Sequence, residues 1–271
     1  MKKTSRKMSI LLLCMSVLFF AVLLMNIDLA RIPEIVAATD RKLVAYAFIV
    51  MIVSDLLNAF KVSMILDLPF SIRFVVKMFF VNQRTFFLSQ FLPSDLLGIT
   101  YRARFISEFA SEDTSVYTII YDKYTQVVST ILVGLVSTTI LLFLWDHTIV
   151  FGFFLFMFVV VLLIPLILQA AATRNMIRKL FPGSFADVLI ARSTQIMNIY
   201  AMLKQFGWIL LFSSLIQLVF SLSVHIICIS ISIKMDYLAI VIALSITSLV
   251  IMLPVSYNGF GLREITLVFL L

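Results

Sequence analysis

Two segments of the chain place a proline, a glycine and an arginine at the same spacing. FLPSDLLGITYRAR, residues 91–104, and MLPVSYNGFGLREI, residues 252–265, both read L-P-x-x-x-x-G-x-x-x-R. Proline ends or kinks a helix, and glycine lets the backbone approach a ligand closely. The N-terminus of a restarting helix favours negative charge, and an arginine in its first turn adds a bidentate ligand for phosphate or carboxylate. The motif therefore predicts two anion-binding helix breaks.

The repeated motif supplies the first candidate binding residues. They are Pro93, Gly98 and Arg102 in the first segment, and Pro254, Gly259 and Arg263, with the adjacent Glu264, in the second. Paired interrupted helices often surround a midplane site in transporters, so we expect the two segments to form one cavity. Neighbouring residues on a helix do not face each other. We therefore expect Glu264 to pair with Arg102 across an internal repeat instead of with Arg263.

The composition identifies the surroundings of these segments. The 271 residues are 62% hydrophobic and 13% charged, with a mean hydropathy of +1.13, whereas soluble domains are about 45–50% apolar and about 25% charged. This composition predicts an integral membrane protein. The net charge of +7 then indicates loop topology and headgroup contacts, and no nucleic-acid partner. Cys14, Cys228, His147 and His225 are isolated, so we predict neither a metal site nor a cofactor.

Apolar runs of about 20 residues are long enough to cross a bilayer. The predicted fold is an all-α, polytopic membrane bundle of about six to eight segments, with broken or re-entrant helices and an internal repeat. We expect a single transmembrane domain over 1–271 and no soluble catalytic domain. The predicted spans are 8–27, 43–66, 126–145, 149–169, 207–233 and 237–253, followed by a half-span at 262–271.

Two connections are too apolar to be plain loops. In 71–92, Arg73, Lys77 and Arg84 fall on one helical stripe, and 185–206 carries a similar polar stripe. Each stripe could be the solvated face of a helix at the membrane surface or a wall of a polar cavity. Basic residues concentrate in the 67–125 and 170–206 connections and at the N-terminus, which places these regions and the N-terminus in the cytoplasm of a multi-pass protein of the cell membrane.

These residues resemble the lysylphosphatidylglycerol synthase transmembrane-region family, also called the flippase-like domain family, from about residue 8 onward. The late segment is similar to that family's P-x-S-x-G-G-x-G-x-R-E signature. The resemblance adds Ser256, Gly261 and Asn258 to the candidate site, with Asn258 replacing a glycine. The early segment is similar to L-P-x-x-x-G-G-D-x-x-R, but Leu97 replaces a glycine and Ile99 replaces the aspartate.

Two further basic residues match positions of the same family. Lys123, in YDKYTQ, stands in the place of a family arginine and joins the candidate site, and Lys61 resembles a basic residue that ends the second span. The resemblance implies translocation of polar or lipid-linked headgroups, with a membrane phospholipid or polyprenyl-linked lipid as partner. In fused relatives a soluble domain makes lysyl-phosphatidylglycerol, and such a domain is not expected here.

Three functions stay open at this point. The first is a lipid translocase, which is not an enzyme and which could act as a homo-oligomer. The second is a membrane transferase acting on a lipid-linked substrate, including lysyl-phosphatidylglycerol synthesis by family name. It would need an acid/base pair or a metal cluster, and the carboxylates Asp55, Asp95 and Asp122 occur singly. The third is a non-transporting scaffold of an envelope-lipid complex.

Overall fold

A computed structural model describes residues 21, 25, 29–91, 96–142, 148–169, 203–251 and 261–270. Within these ranges the chain forms helices and no strand, which confirms the all-α class. A short 3-10 turn, Leu29–Arg31, precedes the first α-helix. The α-helices of the described ranges are α1 (Ile32–Ala38), α2 (Arg41–Ile65), α3 (Ile72–Phe91), α4 (Leu96–Ile106), α5 (Glu112–Leu142), α6 (Thr148–Gln169), α7 (Leu203–Ser230), α8 (Tyr237–Ile251) and α9 (Leu262–Leu270).

Helices of membrane-spanning length confirm an integral membrane bundle. Three of them, in α2, α5 and α7, are long and apolar enough to cross a bilayer, over Arg41–Ile65, Thr114–Leu142 and Phe206–Ser230. Shorter apolar helices cover Ile149–Val161 and Tyr237–Ile251. Large apolar side chains on the outer faces of these helices are exposed, as a lipid solvent requires. The predicted span 8–27 and most of the predicted helix 185–206 lie outside the described residues.

α2 and α7 form the most extensive helix pair, and they run antiparallel. The backbone N–H of Asp40, at the start of α2, donates to the carbonyl of Ser230, at the end of α7, at 3.0 Å. Further along, the hydroxyl of Ser54 donates to the carbonyl of Ile216 at 3.3 Å. The side chain of Asp40 caps α2 by accepting from the Lys42 N–H at 2.9 Å. An aspartate at this position satisfies donors that have no partner inside the helix.

α5 is the central helix, since it packs against α2, α4, α6, α7 and α8. It begins at Glu112, well before the predicted span start at residue 126. The Ser111 hydroxyl accepts from the backbone N–H of Thr114 at 3.2 Å, which caps the helix at this early position. The early start places Asp122 and Lys123 within the helix instead of in a connection. The Asp122 carboxylate therefore lies inside the bundle.

α3 is amphipathic, as the 71–92 stripe predicted. Phe74, Met78 and Val81 are buried in the core shared with α2, α4 and α5. The three basic residues of the stripe, Arg73, Lys77 and Arg84, are exposed. They therefore form a solvated or headgroup-facing surface, on which Arg84 donates to the hydroxyl of Tyr101 in α4 at 3.1 Å.

Candidate functional site

A buried ionic triad joins three helices. Asp122 of α5 forms ion pairs with two cations, each at a different carboxylate oxygen. The Nζ atom of Lys61 in α2 lies 2.7 Å from Oδ1, and the Nη2 atom of Arg102 in α4 lies 3.0 Å from Oδ2. The side chains of Lys61 and Asp122 are each 3% exposed, and that of Arg102 is 10% exposed. The triad therefore lies within the packed interior.

The triad leaves one positive charge without a counter-charge. A single carboxylate cannot neutralise both Lys61 and Arg102. The Nε atom of Arg102 is buried and has no hydrogen-bond partner among the described residues. Charged groups inside a membrane cost about 2.5–3.5 kcal/mol each on insertion scales, and such residues usually mark functional sites. Asp122 thus binds Arg102 through one guanidinium nitrogen, and the Nε–H group of Arg102 stays available to a ligand.

The predicted pairing of Glu264 with Arg102 is wrong. Arg102 donates a hydrogen bond to Asp122, and Glu264 instead caps its own helix. Its Oε2 atom accepts from the backbone N–H of Gly261 at 2.9 Å, and Gly261 has a φ of +79°, which favours glycine. This is half of a capping box at the start of α9. A bond across three residues orders less chain than a cross-repeat pair, so local capping prevails.

Gly98 acts in packing at the α3–α4 contact. A Cβ atom at Gly98 would lie 2.7 Å from the Cγ2 atom of Thr85 on α3. The absence of a side chain therefore lets α4 approach α3 closely. Arg102 follows one turn after Gly98 on α4, so this contact also sets the position of the guanidinium group.

Three of the predicted basic residues line one cavity of about 370 Å³. Arg102 of α4, Lys123 of α5 and Arg263 of α9 all contribute to its wall. Lys123 and Arg263 are exposed, and among the described residues neither forms an ion pair within 4 Å. The other predicted site residues, Pro93, Pro254, Ser256, Asn258 and Gly259, lie outside the described residues. The helix breaks, the repeat and the single domain stay predictions.

The rest of the polar lining comes from α2 and α3. Asp55 and Asn58 of α2 and Asn82, Gln83 and Thr85 of α3 face the same cavity. The Nε2 atom of Gln83 donates to Oδ2 of Asp55 at 2.6 Å. Within the described ranges, both amide atoms of Asn82 and the hydroxyl of Thr85 are buried without a hydrogen-bond partner. Unpaired buried polar atoms are costly, so water or a ligand has to satisfy them.

A second depression lies at the α7–α8 turn, away from the triad. It is lined by His225, Lys234 and Asp236, among others. The His225 ring contacts the Tyr237 ring edge-on, with 5.7 Å between centroids. Among the described residues, no three His, Cys, Asp or Glu side chains cluster as metal ligands would.

Asp122 is the site residue that sequence reasoning missed. In the sequence it is a single carboxylate that precedes the predicted span 126–145. One sequence feature could have identified Asp122: it is an ionisable residue shortly before a long apolar run. An ionisable residue in a helix that continues into the membrane indicates a functional position. Asp55 and Lys61 both lie in the predicted span 43–66, but sequence spacing alone does not assign their partners, which are Gln83 on α3 and Asp122 on α5.

Comparison with known proteins yields one family. The family model described as "Lysylphosphatidylglycerol synthase TM region" matches residues 8–271. No curated protein and no solved structure matches the chain.

Proposed function

The chain belongs to the lysylphosphatidylglycerol synthase TM region family, and we propose that it moves a lipid with an anionic headgroup across the membrane. The family membership supports a membrane function related to lipids. The headgroup would pass through the cavity lined by Arg102, Lys123 and Arg263, while the acyl or prenyl tails stay in the bilayer. Phospholipids and polyprenyl-linked lipids both have this form. We place the protein in the cytoplasmic membrane with its N-terminus in the cytoplasm.

The observation that carries this proposal is the convergence of three cations from three helices on one polar cavity. Arg102 is 8% exposed, yet no described residue accepts a hydrogen bond from its Nε atom. Such charges are retained in a membrane bundle at a cost, so they need a partner. A phosphate group supplies oxygen acceptors that suit a guanidinium group and an ammonium group.

A translocase also needs a place for the lipid tails. The outer faces of α2 and α7 carry exposed apolar side chains, including Phe48 and Leu211, which are 57% and 62% exposed. α2 contributes both this lipid-facing surface and the polar cavity residues Asp55 and Asn58. One helix thus borders lipid on one side and the cavity on another, as a headgroup pathway requires.

The test is reconstitution of the purified chain in liposomes with a lipid labelled on its acyl chain. Dithionite quenches label in the outer leaflet, so the remaining fluorescence reports movement between leaflets. We expect the chain to accelerate movement of an anionic lipid, and Arg263→Ala to slow it by about tenfold or more, since it removes a charge-assisted hydrogen bond. Arg41→Ala, at the exposed start of α2, is the matched control and should leave the rate unchanged.

Two other outcomes would overturn the proposal. Formation of a new lipid product without movement between leaflets would assign a transferase. Neither movement nor product, from a chain shown to be folded in the liposomes, would favour the scaffold.

A further inference from the structure

We propose that the cavity selects lipids by the charge of the headgroup. It binds headgroups that carry a phosphate and no amine, with highest affinity for a phosphomonoester, and it excludes headgroups that carry an amine. This inference rests on the proposed translocation function and specifies its substrate class. It also assigns Ile99 as the residue that determines the selectivity.

The cavity carries an excess of positive charge. Three lining residues, Arg102, Lys123 and Arg263, are cations, and Asp55 is the lining carboxylate among the described residues. Asp122 does not change this balance, because Lys61 already neutralises it from the other side. Two of these cations, Lys123 and Arg263, are exposed, so the excess of two charges also attracts anions from outside the cavity. A dianionic headgroup would balance it.

An ammonium group would find little to bind in this cavity. Asp55 is its available carboxylate partner in the lining, and one oxygen of Asp55 already accepts from Gln83 at 2.6 Å. An amine placed there would also be repelled by three nearby cations. Like charges set against each other cost several kcal/mol, so the cavity discriminates against cationic headgroups.

The unpaired donors match the terminal oxygens of a phosphate. Nε of Arg102, Nδ2 of Asn82 and Oγ1 of Thr85 are buried and have no hydrogen-bond partner in the part of the chain that the structure describes. All three residues line the same cavity. A phosphomonoester offers three terminal oxygens, whereas a phosphodiester offers two. The monoester can therefore satisfy more of the donors and more of the charge.

Ile99 adds no negative charge to the cavity at a position next to Arg102. It lines the cavity and precedes Arg102 by three residues on α4. Residues three apart on a helix are neighbours on one face, so a carboxylate at this position would lie beside Arg102. An isoleucine contributes no charge there. The Ile99→Asp variant should therefore weaken phosphate binding and admit amines, while Ile99→Asn changes the polarity without changing the charge.

The first measurement is equilibrium binding to the purified chain in detergent micelles. The probes are phosphatidic acid, phosphatidylglycerol, phosphatidylethanolamine and a cationic aminoacyl ester of phosphatidylglycerol, with matched acyl chains. We expect affinity to fall in that order, with about tenfold or more between the first and the last. Ile99→Asp should reduce this ratio by about tenfold, and Ile99→Asn should leave it nearly unchanged. Equal affinity for all four lipids, or equal effects of the two variants, would overturn the inference.

The second measurement compares movement of the same lipids in liposomes. Selective binding without movement of any lipid would refute translocation and leave the selectivity standing. Movement of all four lipids at similar rates would support translocation and overturn the selectivity. Glycerol 3-phosphate serves as a soluble competitor: displacement of the lipid only at much higher concentration supports a lipid-borne phosphate, and equal potency would identify a free phosphate as the ligand and refute the lipid assignment.

Discussion

The Nζ atom of Lys61 lies 2.7 Å from the Asp122 carboxylate, and both side chains are 3% exposed. The same carboxylate holds Arg102 at 3.0 Å through its other oxygen. This arrangement links α2, α4 and α5 through one acidic group. It makes Asp122 the residue on which both the stability of the bundle and the position of Arg102 depend.

Replacing Asp122 by asparagine should destabilise the protein severely. Asparagine keeps the size of the side chain but cannot neutralise Lys61 and Arg102, which would then be buried without a counter-charge. Breaking a buried ion pair in this way costs about 3–5 kcal/mol. The free energy of unfolding in mixed micelles measures the effect, and Asp236→Asn, at an exposed position on the α7–α8 turn, is the matched control. A loss no larger than that of the control would contradict the central role of Asp122.

Replacing the whole triad should separate stability from function. A Lys61→Met, Arg102→Leu, Asp122→Leu variant removes all three charges at once, and apolar replacements of buried ion clusters are often neutral or stabilising. We expect its unfolding free energy to lie within about 1 kcal/mol of the parent, with binding of phosphatidic acid strongly reduced. If the triple variant is as unstable as Asp122→Asn, the cost comes from packing and not from unbalanced charge.

The fold class was predictable because it depends on composition and on the length of apolar runs. α2 and α8 follow their predicted spans closely. The start of α5 could not be predicted in this way, because it depends on a local cap at Ser111 and not on hydropathy. Arg102 and Arg263 both line one cavity, but the helix breaks that their shared motif predicts lie outside the described residues, so the paired breaks stay a prediction.

The partners of the charged residues could not be predicted from the sequence. Asp122 and Arg102 are twenty residues apart and Lys61 is further still, so only tertiary packing brings them together. Glu264 had a local alternative that sequence reasoning overlooked. A glutamate three residues after the N-cap residue is a known signature of a helix N-terminus. Gly261 is the N-cap residue of α9, and Glu264 is that glutamate.

The Gly98 contact gives a second stability prediction. Gly98→Ala should cost about 1–3 kcal/mol, because its methyl group would overlap Cγ2 of Thr85, a stiff β-branched side chain. Adding Thr85→Ser removes that methyl group and keeps the hydroxyl, so the double variant should recover most of the loss. Gly207→Ala, where no neighbouring atom lies within 4 Å, should be neutral or stabilising by up to about 1 kcal/mol. Absence of recovery in the double variant would show that the close approach is not the cause.

The start of α9 gives a third prediction. Glu264→Ala should remove the capping bond to Gly261 and cost about 1 kcal/mol, whereas Glu264→Gln keeps an oxygen acceptor and most of the bond. Gly261→Ala should cost about 1–2 kcal/mol, because a φ of +79° strains a residue with a Cβ. Amide hydrogen exchange over 262–270 measures the local opening. Restoration of protection by a swap of charges between Arg102 and Glu264 would contradict the capping assignment.

The positive potential of the cavity can be measured with charged thiol reagents. In a Cys14→Ser, Cys228→Ser background, Arg263→Cys places a single thiol beside Arg102 and Lys123. An anionic sulfonatoethyl methanethiosulfonate should react several-fold faster than its cationic trimethylammonium counterpart, since remaining cations concentrate anions by roughly tenfold or more in such clefts. Ionisation of the thiol changes both rates equally, so their ratio isolates the charge of the reagent. The ratio should fall as salt increases, and Lys234→Cys, on the exposed α7–α8 turn, should give a ratio closer to one. The same ratio at both positions, unaffected by salt, would mean that the three cations do not create a shared field, and it would remove the physical basis for anion selection.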